Sequence, residues 1–324
     1  MTLKTPVIFL IFNRPKFTQK VFEEIAKARP EKLLIVADGP RNEKEFFVCE
    51  ETRKIIDRVN WPCEVLTNYS ESNLGCGKRV SSGLDWAFSI VEEAIILEDD
   101  CLPSQSFFHF CNELLEFYRD DQRIWVIGSN NFQNGQWRGN GSYYFSRYNH
   151  VWGWATWRRA WQQYDGELET WPKFRELKLL SSVLEDPKEV NYWTSIFDSF
   201  LTEEKIDTWD CQWTYTCWSN SGLTILPNVN LVSNIGFGPE STHTNHSSSK
   251  ILGYIATGSI DKIKHPSFIV RDNIADAYTF RRIFDNCEPE GFGRVIWKIK
   301  VVLGKLKRRA IKAFGQNIWL KLVN

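Results

Sequence analysis

The sequence has no excess of charge of either sign and no long apolar run. Its 40 basic and 40 acidic residues cancel, which argues against nucleic acid as the main partner. No window offers the roughly 18 to 20 apolar residues that a membrane span requires. The N-terminus has no basic stretch followed by an apolar segment, so we expect no signal peptide and a cytoplasmic location.

Cysteine motifs and nucleotide-binding fingerprints are also missing. The eight cysteines include no C-x-x-C pair, which argues against a zinc site, and without export we expect them to be reduced thiols. The glycine-rich segment SNLGCGK lacks the spacing and the Lys-Ser/Thr ending of a Walker A motif. No G-x-G-x-x-G follows the first apolar segment, which argues against a dinucleotide-dependent oxidoreductase.

Apolar runs and amphipathic segments alternate through the first 130 residues. The pattern predicts strands at 6–12, 32–39, 63–68, 94–100 and 124–130, and helices at 15–28, 43–59, 78–91 and 104–120. Strands separated by helices imply a Rossmann-like α/β fold, with a mainly parallel central sheet flanked by helices. Ligands of such sheets bind beyond the carboxyl ends of the strands. One edge should therefore gather Asn13, Arg14, Asp38, the loop 71–78, Glu98, Asp99 and Asp100.

The chain changes character after residue 130. Residues 142–161 are aromatic and irregular, segments around 172–204 are helix-like, and 223–249 combines a strand with a long polar loop. The tryptophans cluster between Trp137 and Trp218, where they could form a carbohydrate-stacking surface, although ordinary core aromatics are the default interpretation.

The tail at 293–314 is basic and contains no acids. Apolar residues line one face of a predicted helix: Val295, Ile299, Val302, Leu306 and Ala310. Such a helix can lie on an anionic membrane surface, and a helix docked on its own domain is an equal alternative. Gly304 weakens the helix prediction.

Three consecutive acids, Glu98, Asp99 and Asp100, end the fourth predicted strand. Adjacent like charges cost free energy unless a cation or donors compensate them. Mg²⁺ and Mn²⁺ commonly bind one or two carboxylates together with substrate phosphate oxygens. We interpret Asp100 as the metal ligand, with Glu98 and Asp99 on sugar or ribose hydroxyls. Strand alternation predicts that Glu98 and Asp100 point one way and Asp99 the other. Solvated or helix-capping carboxylates are the alternative.

Other residues at this edge could contact a nucleotide. Gly75 lets the backbone approach a ligand closely, and Lys78 can offer a cation to an anion, although an ordinary glycine-rich turn also fits. Arg14 can pair with phosphate, and Asp38 can accept from the N–H of a pyrimidine base. Isolated residues of these types are often surface ions or turn formers.

Two further candidates lie in the second half. Asp210 stands among aromatic residues in the segment DTWDCQW, where it could act as a general base, with a helix-capping aspartate as the alternative. His243 and His246 lie on a stretch rich in Gly, Ser and Thr. One of them could complete a metal shell or bind a pyrophosphate, and a surface loop histidine is the alternative.

With these residues placed, the chain resembles the GT-A glycosyltransferases, and within them the N-acetylglucosaminyltransferase I type, over roughly residues 5 to 245. The segments that carry the resemblance are IFLIFNRPKFTQKVFEEI, VADGP, AIILEDDCLPSQSFFHF, VWGWATWRRAW, TWDCQW and GFGPESTH. The resemblance implies a base-binding Asp38, an acceptor side at Gly153 and Trp154, a catalytic base at Asp210 and a late-loop His243. The anchor and stem of the Golgi enzymes are absent, so we expect a bacterial cytoplasmic relative.

The combined prediction is a metal-dependent inverting glycosyltransferase. It would use Mn²⁺ or Mg²⁺, and its donor would be a nucleoside diphosphate sugar, with UDP as the expected nucleotide. The acceptor would be a glycan or a lipid-linked glycan in surface polysaccharide synthesis. The predicted divisions are a nucleotide-sugar-binding half at 1–130, an acceptor-binding and catalytic half at 131–250, and a helical extension at 251–324, which could touch the inner face of the membrane.

Two alternatives belong to other classes. A nucleotidyltransferase that makes a sugar nucleotide would usually carry a glycine-rich, basic loop directly after the first strand, where this chain has NRPK. A non-catalytic carbohydrate-binding protein would use the aromatic surface and bind glycan without metal.

Overall fold

An eight-stranded mixed β-sheet is the central feature of the computed structural model, which describes residues 2–201, 207–237 and 255–284. The strands are β1 (Val7–Ile11), β2 (Lys32–Ala37), β3 (Glu64–Tyr69), β4 (Glu93–Glu98), β5 (Cys101–Pro103), β6 (Ile124–Gly128), β7 (Tyr143–Ser146), β8 (Trp154–Trp157), β9 (Leu223–Pro227) and β10 (Val232–Asn234). Their order in the large sheet is β3-β2-β1-β4-β8-β6-β9-β7, and β5 pairs with β10 in a separate antiparallel pair.

Most strands of the large sheet run in one direction. β3, β2, β1 and β4 pair in parallel, and β9 is parallel to β6. β8 is antiparallel to both β4 and β6, and β7 is antiparallel to β9. Six of the eight strands therefore share one direction. The prediction of a mainly parallel, Rossmann-like α/β sheet flanked by helices is confirmed.

Helices connect and cover these strands. They are α1 (Pro15–Ala28), α2 (Glu43–Lys54), α3 (Cys76–Ile90), α4 (Gln105–Phe117), α5 (Arg158–Trp161), α6 (Trp171–Glu176), α7 (Leu180–Val183), α8 (Pro187–Ser199), α9 (Asp210–Ser219) and α10 (Asn273–Thr279). A 3₁₀ turn at Ile55–Arg58 extends α2. In the described part of the chain, none of the helices is long and apolar enough to cross a membrane.

Burial explains why the first half could be predicted locally. Every residue of β1 is buried, so this strand shows a continuous apolar run instead of alternation. α1 begins at Pro15, which tolerates the first helical position because its missing N–H would have no partner there. The helix packs against the sheet through Val21, Phe22 and Ile25, which recur at helical spacing.

The aromatic region is more regular than its sequence suggests. Residues 142–161, predicted to be irregular, contain β7, β8 and α5. Trp154 and Trp161 of this region and Trp213 of α9 are fully buried, and these three pack ring against ring with centroids 5.2 to 6.3 Å apart. The default interpretation as core therefore holds for much of the cluster, while Trp137 is exposed.

Residues Met1–Thr279 form one compact unit, and Phe280–Asn324 belong to a second. Of the second unit the structure describes Phe280–Phe284, one turn of π-helix. The predicted tail helix at 293–314 lies outside the described residues, as do His243 and His246. The division at 130 and 250 stays a prediction.

Candidate functional site

A cavity of about 480 Å³ lies at the carboxyl ends of β1, β2 and β4. The structure brings seven of the nine predicted site residues to its wall: Arg14, Asp38, Gly75, Glu98, Asp99, Asp100 and Asp210. Lys78 is exposed on α3 and is not among the described lining residues, and His243 lies outside the described part of the chain. The edge expected from the strand ends is therefore a real concavity.

Two of the three consecutive acids contact the same guanidinium, that of Arg14. Arg14 Nη1 lies 2.8 Å from Asp100 Oδ2 and 3.6 Å from Asp99 Oδ1. The prediction that Asp99 and Asp100 point in opposite directions is wrong, because β4 ends at Glu98 and the next two residues form a turn. Alternation holds only while the backbone stays extended, so both aspartates can face Arg14.

Negative charge is only partly compensated at this turn. Burial raises the pKa of Glu98 well above its usual range, and the charges of Asp100, Asp99 and Asp210 act in the same direction. Burial and then the charge of Asp100 raise the pKa of Asp99 to about 7, against the opposing effects of Arg14 and a backbone N–H. These carboxylates therefore repel one another across the cavity, and one guanidinium does not balance them.

The donor chemistry of this turn fits a divalent cation. Carboxylate oxygens with raised pKa values would be stabilised in their ionised form by a nearby positive ion, and Mg²⁺ or Mn²⁺ prefers such oxygen ligands. Within residues 2–201, 207–237 and 255–284, no group of three or more His, Cys, Asp or Glu side chains is arranged to hold a metal ion by itself. A metal here would need phosphate oxygens of a bound substrate beside one or two carboxylates.

Asp38 joins β2 to the glycine-rich loop. Its Oδ1 accepts hydrogen bonds from the backbone N–H groups of Gly39 at 2.8 Å and Leu74 at 2.9 Å, and its Oδ2 accepts from Asn73 Nδ2 at 2.9 Å. Burial raises the pKa of this carboxyl, and the two backbone N–H groups oppose that shift. A carboxylate oxygen can accept more than one hydrogen bond, so Oδ2 retains capacity for a donor on a ligand.

Asp210 faces the same cavity from the opposite half of the chain. It is the first residue of α9, and its Oδ1 accepts from the Thr208 hydroxyl and from the Cys211 backbone N–H at 2.9 Å. The Cys211 thiol also donates a hydrogen bond to the Asp210 carboxylate. The effect of Asp210 on the pKa of Glu98 shows that the two carboxylates are electrostatic neighbours. These hydrogen bonds fix the Asp210 carboxylate at the wall of the cavity.

Sequence reasoning missed three residues that build this wall. Arg79 is buried and donates to the Ala37 carbonyl at 3.2 Å and the Asn68 carbonyl at 2.6 Å, so it ties α3 to two strand ends. Asn73 holds Asp38, and Asp207 contacts the start of α3. Asn73 and Asp207 stand inside segments that the sequence had singled out, but their partners are distant along the chain.

The cavity as a whole is acidic. Among the described lining residues, six carboxylates face three guanidinium groups: Asp38, Glu98, Asp99, Asp100, Asp207 and Asp210 against Arg14, Arg41 and Arg79. Arg41 also pairs with Glu45, and Arg79 is occupied by backbone carbonyls. A ligand with several negative charges would therefore need a cation to enter.

No family model matches the sequence, and neither does any curated protein. Solved structures of similar fold include the UTP-bound UGPase from Acinetobacter baumannii, at 9% identity and TM-score 0.35, covering 74% of this chain and 90% of that one. A UDP-glucose pyrophosphorylase complexed with UDP-glucose shows 11% identity and TM-score 0.36, over 71% and 94% of the two chains.

A third similar structure is the 4-diphosphocytidyl-2C-methyl-D-erythritol synthase from Anaerococcus prevotii. It shows 11% identity and TM-score 0.31, over 63% of this chain and 88% of that one. At these identities and TM-scores the likeness says nothing about ligand or reaction. The resemblance to glycosyltransferases rests on the sequence motifs and stays a prediction.

Proposed function

We propose that the cavity binds a nucleoside diphosphate sugar together with a divalent cation, and that the protein transfers the sugar to an acceptor hydroxyl. The observation that carries this proposal is the position of uncompensated carboxylates at the strand ends, in a cavity whose wall also carries the Asp210 carboxylate. Asp38 and the loop it holds form the nucleotide side of the cavity, and Asp210 stands on the acceptor side.

The reaction needs one base and one stabilised leaving group. The acceptor oxygen would attack the anomeric carbon while the bond from that carbon to the diphosphate oxygen breaks, and Oδ2 of Asp210 would take the hydroxyl proton. A single displacement of this kind inverts the anomeric configuration. A Mg²⁺ or Mn²⁺ ion held by Asp100 would neutralise the departing nucleoside diphosphate. Arg14, now paired with Asp100, lies where it can also reach phosphate oxygens.

The acidity of the cavity favours glycosyl transfer over nucleotidyl transfer. A nucleotidyltransferase brings together a nucleoside triphosphate and a sugar phosphate, both anions, and their attacking phosphate oxygen needs no base. Such a site should be rich in free cationic side chains. Here the acids outnumber the guanidinium groups, and the segment between β1 and α1 is Phe12-Asn13-Arg14, without glycine.

Nucleotidyl transfer is nevertheless the second candidate. It is the alternative that the sequence left open, and a strand-end cavity with acids beside a cation suits it as well. A carbohydrate-binding protein without catalysis is less well supported, because tryptophans that would form its surface, such as Trp154 and Trp213, are fully buried.

The experiment is a calorimetric titration of the protein with nucleoside di- and triphosphates and their sugars, with and without Mn²⁺. We expect metal-dependent binding of one nucleoside diphosphate and its sugar, and loss of that binding in Asp100→Asn. Asp121→Asn, which removes a surface carboxylate paired with Arg123, is the control that should bind normally. No nucleotide binding in the presence of metal would overturn the proposal.

Product analysis then separates the two candidate reactions. Release of nucleoside diphosphate from a bound nucleotide sugar, dependent on an acceptor, would support glycosyl transfer. Release of pyrophosphate from a nucleoside triphosphate and a sugar phosphate would support nucleotidyl transfer instead. Asp210→Asn should lower glycosyl transfer by about 10²- to 10⁴-fold and leave donor binding intact.

A further inference from the structure

The start of α3 is capped by a residue from a distant part of the chain. The Asp207 carboxylate accepts hydrogen bonds from the backbone N–H groups of Cys76 at 2.9 Å and Gly77 at 2.8 Å. These N–H groups belong to the first turn of the helix and have no partner within it. Gly75, the residue before the helix, has no side chain that could cap it. Asp207 therefore supplies the missing cap across 130 residues of sequence.

The two glycines of the loop make room for this contact. Gly75 has a φ of +82°, and a Cβ built on it would lie 2.6 Å from Asp207 Oδ2. A Cβ on Gly77 would lie 2.8 Å from the Thr208 carbonyl oxygen. The sequence pattern suggested that the glycines of this loop allow a ligand to approach closely. In this structure they allow the segment 207–208 to approach closely.

The contact continues directly to the proposed base. Thr208 follows Asp207, and its hydroxyl donates to Asp210 Oδ1. Gln212 Nε2 donates to the Thr208 carbonyl at 2.8 Å, which fixes the same residue from the first turn of α9. The position of Asp210 is thus set by two helix ends, α9 on one side and α3 on the other.

The same loop also holds the nucleotide side of the cavity. Leu74 and Asn73 bind the Asp38 carboxylate, and the next residues bind Asp207. A short run of hydrogen bonds therefore connects Asp38 to Asp210 through the loop 73–77. Both ends of this run line the cavity.

We infer that Asp207 is a positioning residue, which fixes the segment carrying Asp210 against the start of α3 and so sets the distance between the nucleotide side and the base. This inference rests on the proposed glycosyl transfer. It assigns to Asp207 no contact with substrate. Its removal should therefore reduce turnover more than donor binding, since small misplacements of a catalytic group cost much in rate.

The test compares Asp207→Ala with Asp186→Ala. Asp186 is a matched control because it also caps a helix, accepting from the Lys188 backbone N–H at 2.8 Å, and it does not line the cavity. In Asp207→Ala we expect kcat to fall by about 10²-fold, with the donor Kd changed less than about threefold. Asp207→Asn keeps one acceptor oxygen and should recover part of the lost kcat. Asp186→Ala should leave kcat and Kd unchanged.

A second readout does not depend on activity. Amide hydrogen exchange at Cys76 and Gly77, and across 208–212, should accelerate in Asp207→Ala and stay normal in Asp186→Ala. Normal kcat with normal exchange in Asp207→Ala would overturn the inference. A loss of donor affinity as large as the loss of kcat would also overturn it, because Asp207 would then act on donor binding as much as on the position of the base. A wild-type protein without nucleotide binding would refute the proposed function, and the exchange data would still test the contact.

Discussion

Two buried groups of charged side chains in this protein differ in how well they are balanced. The open cluster has one guanidinium for three carboxylates and lines the cavity: Arg14, Glu98, Asp99 and Asp100. The closed cluster has two guanidinium groups for three carboxylates and lies away from the cavity: Arg147, Arg271, Glu185, Glu189 and Asp276.

The centre of the closed cluster is more deeply buried than the open cluster, although Glu185 and Arg271 at its edge are 60% and 25% exposed. The side chains of Arg147, Glu189 and Asp276 are 4%, 2% and 0% exposed, against 22% for Arg14 and 16% for Asp100 in the open cluster. Asp276 also accepts from the Ser146 hydroxyl at 2.5 Å. Buried charge alone therefore does not identify a functional site. An imbalance of charge beside a cavity is a better indicator, because a bound ligand can neutralise the excess charge.

The largest effect on stability should come from breaking the closed cluster. Arg147→Met leaves Glu189 and Asp276 buried without their main cation, and loss of one partner from a buried pair costs about 3–5 kcal/mol. Urea unfolding of the variant would measure this. Lys173→Ala removes an exposed ion pair with Glu176 and should change little. A loss in Arg147→Met no larger than in that control would show that burial gives the closed cluster no special dependence on its guanidinium.

Removing one charged group from the open cluster should not destabilise the unliganded protein. Asp100→Asn removes one of three crowded carboxylates, so we expect the unliganded protein to keep its stability. Its stabilisation by nucleotide and Mn²⁺, about 2.7 kcal/mol at a ligand concentration of 100 times Kd, should disappear. Thermal unfolding with and without ligand checks both expectations. A full ligand effect in Asp100→Asn would contradict the metal role.

The closed cluster should also make stability depend on pH. Burial raises the pKa of Asp276 from 3.8 to about 6, although Ser146, Arg147 and Arg271 oppose the shift. Between these values the native state binds more protons than the unfolded state, so this carboxyl's contribution to stability falls as pH rises from about 4 to 6. The slope is at most about 1.4 kcal/mol per pH unit.

The comparison that isolates this contribution is wild type against Asp276→Asn. Urea unfolding of both proteins between pH 4 and 7 should give a stability difference that changes through the window and levels off above pH 6. A difference that stays constant from pH 4 to 6 would mean that Asp276 does not titrate there.

The smallest effect should come from Lys78. Its side chain is exposed, and exposed ion pairs contribute about 0.2–1 kcal/mol, so Lys78→Gln should raise the Kd of a nucleoside diphosphate by less than about fivefold. Titration calorimetry would measure this beside Lys16→Gln, an exposed lysine of α1. A loss of affinity greater than about tenfold would show that Lys78 contacts the ligand directly.

The sequence predicted the first half of the fold because local patterns decide it. β1 is apolar throughout and β4 is apolar from Ala94 to Leu97, since both faces of these strands are covered, and α1 starts at Pro15 as its helical pattern indicates. β8 could not be predicted in the same way. It lies between β4 and β6 and is buried at every residue, so Trp154–Trp157 shows no alternation and is too short for a clear apolar run.

The residues of the candidate site also differ in whether the sequence could predict them. Strand-end acids such as Asp38 and Asp100 could be placed because parallel strands bring their carboxyl ends together. Asp207 could not, because its partners Cys76 and Gly77 are 131 and 130 residues away and no local pattern records such a contact. The predicted orientation of Asp99 was wrong for a simpler reason, since the turn after β4 begins two residues earlier than predicted.

The insertion of β8 between β4 and β6 has a consequence for how the site comes into being. The edge of β4 that leads to the acidic turn pairs with residues about sixty positions later, and β5, just after that turn, pairs with β10 more than a hundred positions later. Contacts between residues so distant along the chain form slowly and late in folding. A fragment ending near residue 130 would contain every acid of the turn and its partner strand β1 but neither β8 nor β10, so β10 must be synthesised before the cavity can close.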